Sequence, residues 1–446
     1  MPKKPPRSAP PESPAPAAAV EPSGEATGRY LVTFRQGAEK QAISLMGRAA
    51  GIRGIASAAD FADGAVRPEA VEDAGAVYFD QLGVAVVTTP PESLNALTAA
   101  AAEDDESSIL AVEPELIMEA LPEGPSGGEA SLSYLRGYRD AVDHLYEQLS
   151  GGAAAEAFGF GGGSPADTAA ATWGLAATKV VSSRSGGQGI RVAVLDTGID
   201  LQHPDFLGRI VVPQSFIPGQ DVQDRHGHGT HCIGTACGPQ RPAEGRRYGV
   251  AWQSQIYAGK VLADNGKGPD GGILAGINWA IANGCQVISM SLGVQGPAST
   301  IYEQVAQRAL AAGTLIVAAA GNDSRRNQNL IFPVSRAANC PSILAVAAVD
   351  SRFQVANFSN RGTAQAGGQV DIAGPGVDVY SAAPLPLRHR FLSGTSMATP
   401  HVAGIAALWS EARQVRGAAL FQVLASSARR LGALSIDVGA GLVQAP

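Results

Sequence analysis

The sequence contains few cysteines and no long apolar run, and each shortage excludes a class of protein. Four cysteines in 446 residues are too few for a disulfide framework, so we expect free thiols. The longest apolar runs, residues 314–320 and 343–349, are far shorter than the roughly 20 residues that a membrane-spanning helix needs. Charged residues make up 16% of the chain and hydrophobic residues 45%. These proportions indicate a globular protein with a sizeable core and no transmembrane helix.

The charge balance and the first residues bear on partners and location. Lys and Arg number 33 against 40 Asp and Glu, a net charge of -7, which argues against nucleic acid or an anionic membrane as a partner. The chain begins MPKKPPRSAPPESPAPAAAV, where prolines interrupt the stretch that is continuously apolar in a secretory signal. We therefore expect a cytoplasmic protein, with non-classical secretion as the alternative.

Composition divides the chain into four segments. Residues 1–28 are so rich in Pro, Ala, Glu and Ser that they predict a disordered tail. Residues 29–121 alternate strand and helix patterns and predict a small α+β unit. Residues 122–171 predict a Gly- and Pro-rich linker around one helix at 131–149. The apolar face of that helix favours packing onto the protein, and a partner-binding segment is the alternative.

Residues 172–446 alternate short, continuously apolar strands with helical segments. Such strands predict a parallel sheet that helices cover on both faces, an α/β architecture. In sheets of this kind, sites form at the carboxyl ends of the strands. Polar residues and glycines occur at these ends, in LDTGID, SLG and AAGND.

Three segments carry candidate chemistry, and each also has a purely structural interpretation. Asp196 ends an apolar strand, where a lone Asp is most often a turn or cap residue. The segment DRHGHGTH offers His226, His228 and His231, a spacing that also suggests zinc, although the further ligands of such a site are not evident. Ser396 stands at the start of a long helical pattern, where a serine can simply cap the helix.

Taken together, the three segments supply the groups that acyl transfer requires. A hydroxyl nucleophile needs an imidazole to carry its proton and a carboxylate to orient that imidazole. The order Asp, His, Ser is that of subtilisin-type enzymes, and VAVLDTGID, HGTHCIGT and GTSMATPHVAG resemble the three signature blocks of subtilisin-like serine proteases. The resemblance implies that Ser396 is the nucleophile, His228 the general base and Asp196 its orienting carboxylate. It also implies that Asn322 is the oxyanion-hole amide.

The resemblance further implies a polypeptide substrate held as an added β-strand between Gly266-Lys267-Gly268 and Ser291-Leu292-Gly293. Ile331 would lie at the base of the primary pocket and make it shallow. Asp323 and Asp270 would lie near the rim of that pocket and the next apolar pocket, which would favour a basic residue in the substrate.

No cofactor is implied for the chemistry, but a structural calcium site is. The carbonyls of Pro341 and Ile343 with the carboxylate of Asp371 match such a site in proteinase K-like relatives, and calcium prefers hard oxygen ligands of this type. An ordinary loop is the alternative at this position.

The unit at 29–121 resembles the inhibitory prodomain of these proteases, a small α+β ferredoxin-like fold that packs on the enzyme. An adaptor domain is the alternative. The sequence thus predicts a serine endopeptidase regulated by its own prodomain as an intramolecular inhibitor. A processing protease or transpeptidase that acts on one partner, and a binding protein without activity, are the competing hypotheses.

Overall fold

Strands and helices alternate along the chain in the computed structural model, which describes residues 24–52, 54–66, 75–102, 107–121, 165–363 and 367–446. The helix predicted at 131–149 and most of the tail predicted at 1–28 lie outside these residues. The described residues form an N-terminal domain and a C-terminal domain, which pack against each other.

The N-terminal domain is a sheet with helices against it. Its elements are β1 (Ala26–Phe34), α1 (Glu39–Ala49), β2 (Ile55–Ser57), β3 (Ala76–Phe79), β4 (Val84–Val87), α2 (Pro91–Ala102) and β5 (Ile109–Ala120). The strands lie in the order β5-β1-β4-β3-β2, and all pairs except β2–β3 are antiparallel. Leaving out the short β2, the succession β-α-β-β-α-β in this order is a ferredoxin-like fold. The predicted class is thereby confirmed.

Both ordered domains begin earlier in the chain than the boundaries predicted at 29 and 172. Thr27 donates a hydrogen bond to the carboxylate of Glu115 on β5, so the residues just before 29 already belong to the sheet. Asp167 accepts a hydrogen bond of 2.7 Å from the N–H of Trp173 and forms an ion pair with Arg246 at 3.1 Å. Side-chain contacts of this kind are not visible in composition, which is what set the two predicted boundaries.

The C-terminal domain is a parallel sheet with helices between its strands. Its strands are β6 (Arg191–Asp196), β7 (Val211–Ser215), β8 (Gln255–Lys260), β9 (Lys267–Pro269), β10 (Val287–Met290), β11 (Leu292–Gly293), β12 (Leu315–Ala319), β13 (Leu344–Val349), β14 (Ile372–Pro375), β15 (Val379–Ala382) and β16 (His389–Leu392). Its helices are α3 (Trp173–Ala177), α4 (His228–Cys237), α5 (Asp270–Ala282), α6 (Thr300–Ala311), α7 (Thr395–Arg413), α8 (Gly417–Ser427) and α9 (Ser435–Val438). The main sheet has the order β14-β13-β12-β10-β6-β8-β7 and is parallel throughout.

Helices cover both faces of this sheet, as the continuously apolar strands predict. On β6, Val192 and Val194 belong to the core that contains Val402 of α7, whereas Ala193 and Leu195 face the other way. They belong to the core that contains α5 and α6. Among the described residues, no helix has both the length and the apolarity to cross a bilayer.

The N-terminal sheet lies on α5 and α6. Leu31 of β1 and Val86 of β4 share one apolar core with Ile277 of α5 and Val305 of α6. Strand β5 continues beyond its own sheet, and its last residues pair antiparallel with β9 on one side and β11 on the other. This strand therefore links the N-terminal sheet to the segments that follow strands β8 and β10 of the main parallel sheet.

Candidate active site

The three candidate catalytic residues come from separate elements that meet at one edge of the parallel sheet. Asp196 is the last residue of β6, His228 the first of α4 and Ser396 the second of α7. Each is at most 3% exposed. Because parallel strands end together at this edge, residues far apart in sequence become neighbours.

Asp196 and His228 form a buried hydrogen-bonded pair. His228 Nδ1 lies 2.8 Å from Asp196 Oδ1, which also accepts the N–H of Thr197 at 2.7 Å. Burial is the largest single influence on the pKa of His228 and acts to lower it, but the charges of Asp196 and Cys232 and the hydrogen bonds to both residues together raise the pKa well above its usual value. The pair therefore stabilises a protonated imidazole, as a general base requires after it has accepted a proton.

Ser396 lies beside this pair but does not hydrogen-bond to it in the ground state. Its Oγ donates to the carbonyl of Ser291 at 3.4 Å, and His228 Nε2 is buried without a hydrogen-bond partner in the described structure. Catalytic hydrogen bonds of this kind are often long until a substrate is bound. The one unpaired ring nitrogen of His228 is thus the atom that would accept the proton of Ser396.

Asn322, which follows β12, is held by the residue that precedes Ser396. Its side-chain oxygen accepts two hydrogen bonds from Thr395, from the N–H at 2.9 Å and from Oγ1 at 2.8 Å. A backbone N–H can only donate, so this contact fixes which atom of the amide is oxygen. The nitrogen Nδ2 then lies against Gly394, where a methyl group would come within 3.0 Å of it. Glycine at 394 therefore leaves room for the amide beside the start of α7.

The remaining histidines and the nearby cysteine have other roles. Burial lowers the pKa of His231 to about 3, and its Nε2 lies 3.1 Å from the carbonyl of Val379. The His226 ring stands edge-on to His228 at 6.2 Å between centroids. Cys232 Sγ lies 3.9 Å from His228 Nδ1, and burial raises the pKa of this thiol. His226 and His231 do not join a metal-type cluster in the described residues, which disfavours the zinc interpretation.

Strand β5 fills the groove between the two segments predicted to bind substrate. Ala120 N–H donates to the carbonyl of Gly266 at 2.7 Å, and Leu121 N–H donates to that of Ser291 at 3.4 Å. Glu119 is opposite Gly293 of β11. The groove therefore holds an extended chain by backbone hydrogen bonds, as predicted for a polypeptide substrate.

Comparisons with known proteins agree with this geometry. The model of the subtilase family matches residues 187–441. The chain belongs to the subtilase family. It is 39% identical over 274 residues to subtilisin DY of Bacillus licheniformis, which covers 60% of the chain and 94% of that protein. It is 45% identical over 223 residues to a thermostable alkaline protease of Halalkalibacterium halodurans, a match that covers 50% of the chain and 57% of that protein. It is 36% identical over 286 residues to a subtilisin-like protease 1 of Trichophyton rubrum, a match that covers 60% of the chain and 52% of that protein. The chain thus spans little more than half the length of the latter two.

Membership confirms two predictions and overturns a third. This subtilase is a serine endopeptidase, and its chemistry requires no cofactor. The expected cytoplasmic location is wrong: its relatives are secreted subtilisins and subtilisin-like proteases, which indicates an extracellular location. The expectation rested on the prolines in the first twenty residues. These indicate the location of the protein less directly than its similarity to the relatives does.

The residues predicted for the primary pocket of this subtilase separate in the structure. Asp323 and Leu121 both line a cavity of about 380 Å³ alongside β5, with Gly293 and Ser335. Ile331 is 37% exposed and is not among the residues that line this cavity. The expectation that it forms the base of the pocket is therefore not supported, because its side chain faces solvent.

Asp270 is not available to a substrate side chain in this structure. It is fully buried, its Oδ2 accepts the N–H of Leu116 on β5 at 3.0 Å, and its Oδ1 accepts the hydroxyl of Tyr302 at 2.7 Å. Burial raises its pKa to about 6, although the nearby Arg336 acts to lower it. Asp270 thus binds the backbone of the N-terminal domain, and the idea that it attracts a basic substrate residue is not supported.

Two positioning residues escaped the sequence analysis. Thr395 orients Asn322, as described above. Asp224 accepts hydrogen bonds from the N–H groups of Gly227 and Thr230, both at 2.7 Å, and so holds the start of α4 on which His228 stands. An aspartate just before a helix is a recognisable capping signal, so Asp224 in DRHGHGTH could have been found from sequence.

Proposed function

We propose that Ser396, His228, Asp196 and Asn322 carry out peptide-bond hydrolysis in this subtilase, and that the N-terminal domain is its intramolecular inhibitor. The observation that carries the proposal is the shared acceptor at Ser291. Its carbonyl accepts both the N–H of Leu121 and the hydroxyl of Ser396. This shared acceptor supports placing the peptide bond that follows Leu121 at the nucleophile, as the bond to be cleaved in a substrate would be placed.

The chemistry follows from the donors and acceptors around Ser396. Its Oγ attacks the carbonyl carbon while His228 Nε2 takes the proton, and Asp196 stabilises the imidazolium that forms. The oxyanion is bound by Asn322 Nδ2 and by the N–H of Ser396, which is one of the donors without a partner at the start of α7. His228 returns the proton to the departing amine, and water hydrolyses the acyl-enzyme by the reverse sequence.

The N-terminal domain is held on the enzyme by carboxylates at two helix N-termini. Glu113 accepts the Ser299 hydroxyl at 2.6 Å and the N–H of Ile301 at 3.3 Å, both at the start of α6. Glu115, which is fully buried, accepts the N–H of Gly271 at the start of α5 at 2.9 Å. Carboxylates at these positions interact favourably with the helix dipole. With β5 in the groove, the chain has the organisation of a zymogen.

A fluorophosphonate probe tests the catalytic assignment. It should label Ser396 of the full-length chain, and the near-isosteric Ser396→Ala variant, which removes only the hydroxyl, should not react. Intact-mass spectra of the two proteins show whether the chain cuts itself, because self-cleavage products should be absent from the variant. Equal labelling of both proteins would refute the assignment.

A structural calcium ion at Asp371 is proposed on the character of its carboxylate. Burial raises the pKa of Asp371 to about 7, and its Oδ2 accepts the N–H of Ala345 at 2.8 Å. A bound cation would offset the cost of burying the ionised carboxylate of Asp371. The carbonyls of Pro341 and Ile343 would supply further hard oxygen ligands. The ion would stabilise the fold and take no part in the chemistry.

A further inference from the structure

We infer that Lys267 makes this protease prefer an acidic residue at the third position before the bond that is cleaved. The inference rests on the proposed function, because it takes β5 to occupy the groove as a substrate does. Leu121 then stands at the first position before the bond, Ala120 at the second and Glu119 at the third.

Backbone hydrogen bonds fix this register independently of side chains. The strand pairs Gly268 with Met118 and Lys267 with Glu119 on one flank, and Leu292 with Ala120 on the other. If a substrate strand were shifted by one residue, each of its side chains would point to the opposite face of the sheet. A substrate that donates to the carbonyls of Gly266 and Ser291, as β5 does, must therefore pair with the enzyme in the same register. The third residue of any substrate is therefore opposite Lys267.

The side chain of Lys267 meets that third residue directly. Its Nζ lies 2.5 Å from Glu119 Oε1. Residues directly opposite each other on antiparallel strands have neighbouring Cβ atoms and interact through their charges. On its other flank Glu119 is opposite Gly293, which has no side chain, so Lys267 is the cross-strand neighbour that distinguishes one substrate side chain from another.

The acidic residues Asp270 and Asp323 near the groove hydrogen-bond to groups other than Lys267. Asp270 is buried against Leu116 and Tyr302. Asp323 Oδ2 accepts hydrogen bonds from Gln295 Nε2 and Asn360 Nδ2, both at 2.7 Å. Lys267, by contrast, has its pKa raised by the hydrogen bond and the charge of Glu119, as a partner on the substrate strand would do.

The selectivity is modest because the pair is exposed. The Lys267 and Glu119 side chains are 49% and 46% exposed, so water and salt weaken their attraction. An exposed ion pair changes an equilibrium by about two- to fivefold, and a like charge at the same place acts in the opposite direction by a similar factor. Screening predicts that the preference shrinks at high ionic strength.

The test uses three internally quenched peptides that differ only by Glu, Gln or Lys at the third position before a leucine bond. The full-length chain is the enzyme, and kcat/KM is expressed per site titrated by a fluorophosphonate. At low salt, kcat/KM for the Glu peptide should exceed that for the Gln peptide by about two- to fivefold and that for the Lys peptide by roughly tenfold. Both ratios should fall in 0.5 M NaCl. Lys267→Glu should reverse the order and Lys267→Met should abolish it. Lys179→Glu, the same change at an exposed lysine that does not pair with β5, should keep the wild-type order.

Each outcome has one meaning. Equal cleavage of the three peptides by the wild type, or an order that Lys267→Glu leaves unchanged, overturns the inference while the protease function stands. A preference that does not respond to salt overturns the electrostatic cause. Absence of both labelling and cleavage overturns the proposed function, and the inference falls with it.

Discussion

The contacts of Glu113 predict how firmly the N-terminal domain closes the active site. Each polar partner described for this side chain belongs to the catalytic domain: the Ser299 hydroxyl, the N–H of Ile301 and the Arg336 guanidinium at 3.2 Å. The change Glu113→Gln keeps the shape of the side chain but removes its charge. It should therefore weaken docking while leaving the fold of each domain intact.

The size of the effect follows from these contacts. A hydrogen bond to a charged group contributes about 1.5–3 kcal/mol and a neutral one about 0.5–1.5 kcal/mol. Replacing the charged acceptor by a neutral one in the hydrogen bonds from Ser299 and Ile301 therefore costs about 2 kcal/mol in total. Loss of charge at the start of α6 adds about 0.3–1 kcal/mol. The glutamate side chain is only 18% exposed, so screening is limited. A total of about 2–3 kcal/mol corresponds to an open fraction roughly 30- to 150-fold larger.

The rate at which a fluorophosphonate labels Ser396 in the full-length chain measures this open fraction. Glu119→Gln is the matched control, because it is the same change on the same strand at an exposed ion pair, and it should raise the rate less than about fivefold. Thermal melts of the three proteins check that the domains stay folded. Labelling of Glu113→Gln within twofold of the wild type, or an equal rise in the control, would refute the argument.

Three further results are expected. Asn322→Ala should lower kcat by about 10²–10³ with little change in KM, because the lost donor acts on the transition state; an unchanged kcat in a peptide assay contradicts this. Burial raises the pKa of Asp270 from 3.8 to about 6, so docking takes up a proton and weakens as pH rises from about 4 to 6. The rate at which a fluorophosphonate labels the wild type, divided by the rate for Asp270→Asn, should therefore rise between about pH 4 and pH 6. A ratio that stays constant over these pH values contradicts the prediction. Removal of calcium by EDTA should lower the melting temperature more at pH 8 than at pH 5, where Asp371 is protonated, and Asp371→Asn should lose this difference.

The sequence predicted the parts of the site that depend on motifs and chain order. Strand β6 is continuously apolar and ends at Asp196, so both the burial of the strand and the position of the carboxylate follow from the pattern. His228 and Ser396 stand at helix starts, where short polar segments precede long apolar ones. The pattern of residues 29–121 was sufficient for a small α+β unit, whereas its ferredoxin-like class was implied by the resemblance to a prodomain.

Features that arise from contacts between residues far apart in the chain could not be predicted from the sequence. Asp270 was expected to face a substrate, but it binds the backbone of Leu116, a residue 154 positions earlier in the chain. Ile331 was expected at the base of the primary pocket, yet it is 37% exposed and does not line the cavity beside β5. The ion pair of Lys267 with Glu119 depends on a strand register between two domains, which no local pattern encodes.

Strand β5 also bears on whether activation can be undone. Its last residues are paired on both flanks while they occupy the groove. Once they leave, their backbone donors and acceptors lose both partners, and an unpaired extended segment of this kind is itself the form of chain that the groove binds. The departing inhibitor is thereby expected to become a substrate for the next enzyme molecule. Activation would then run in one direction and accelerate as it proceeds.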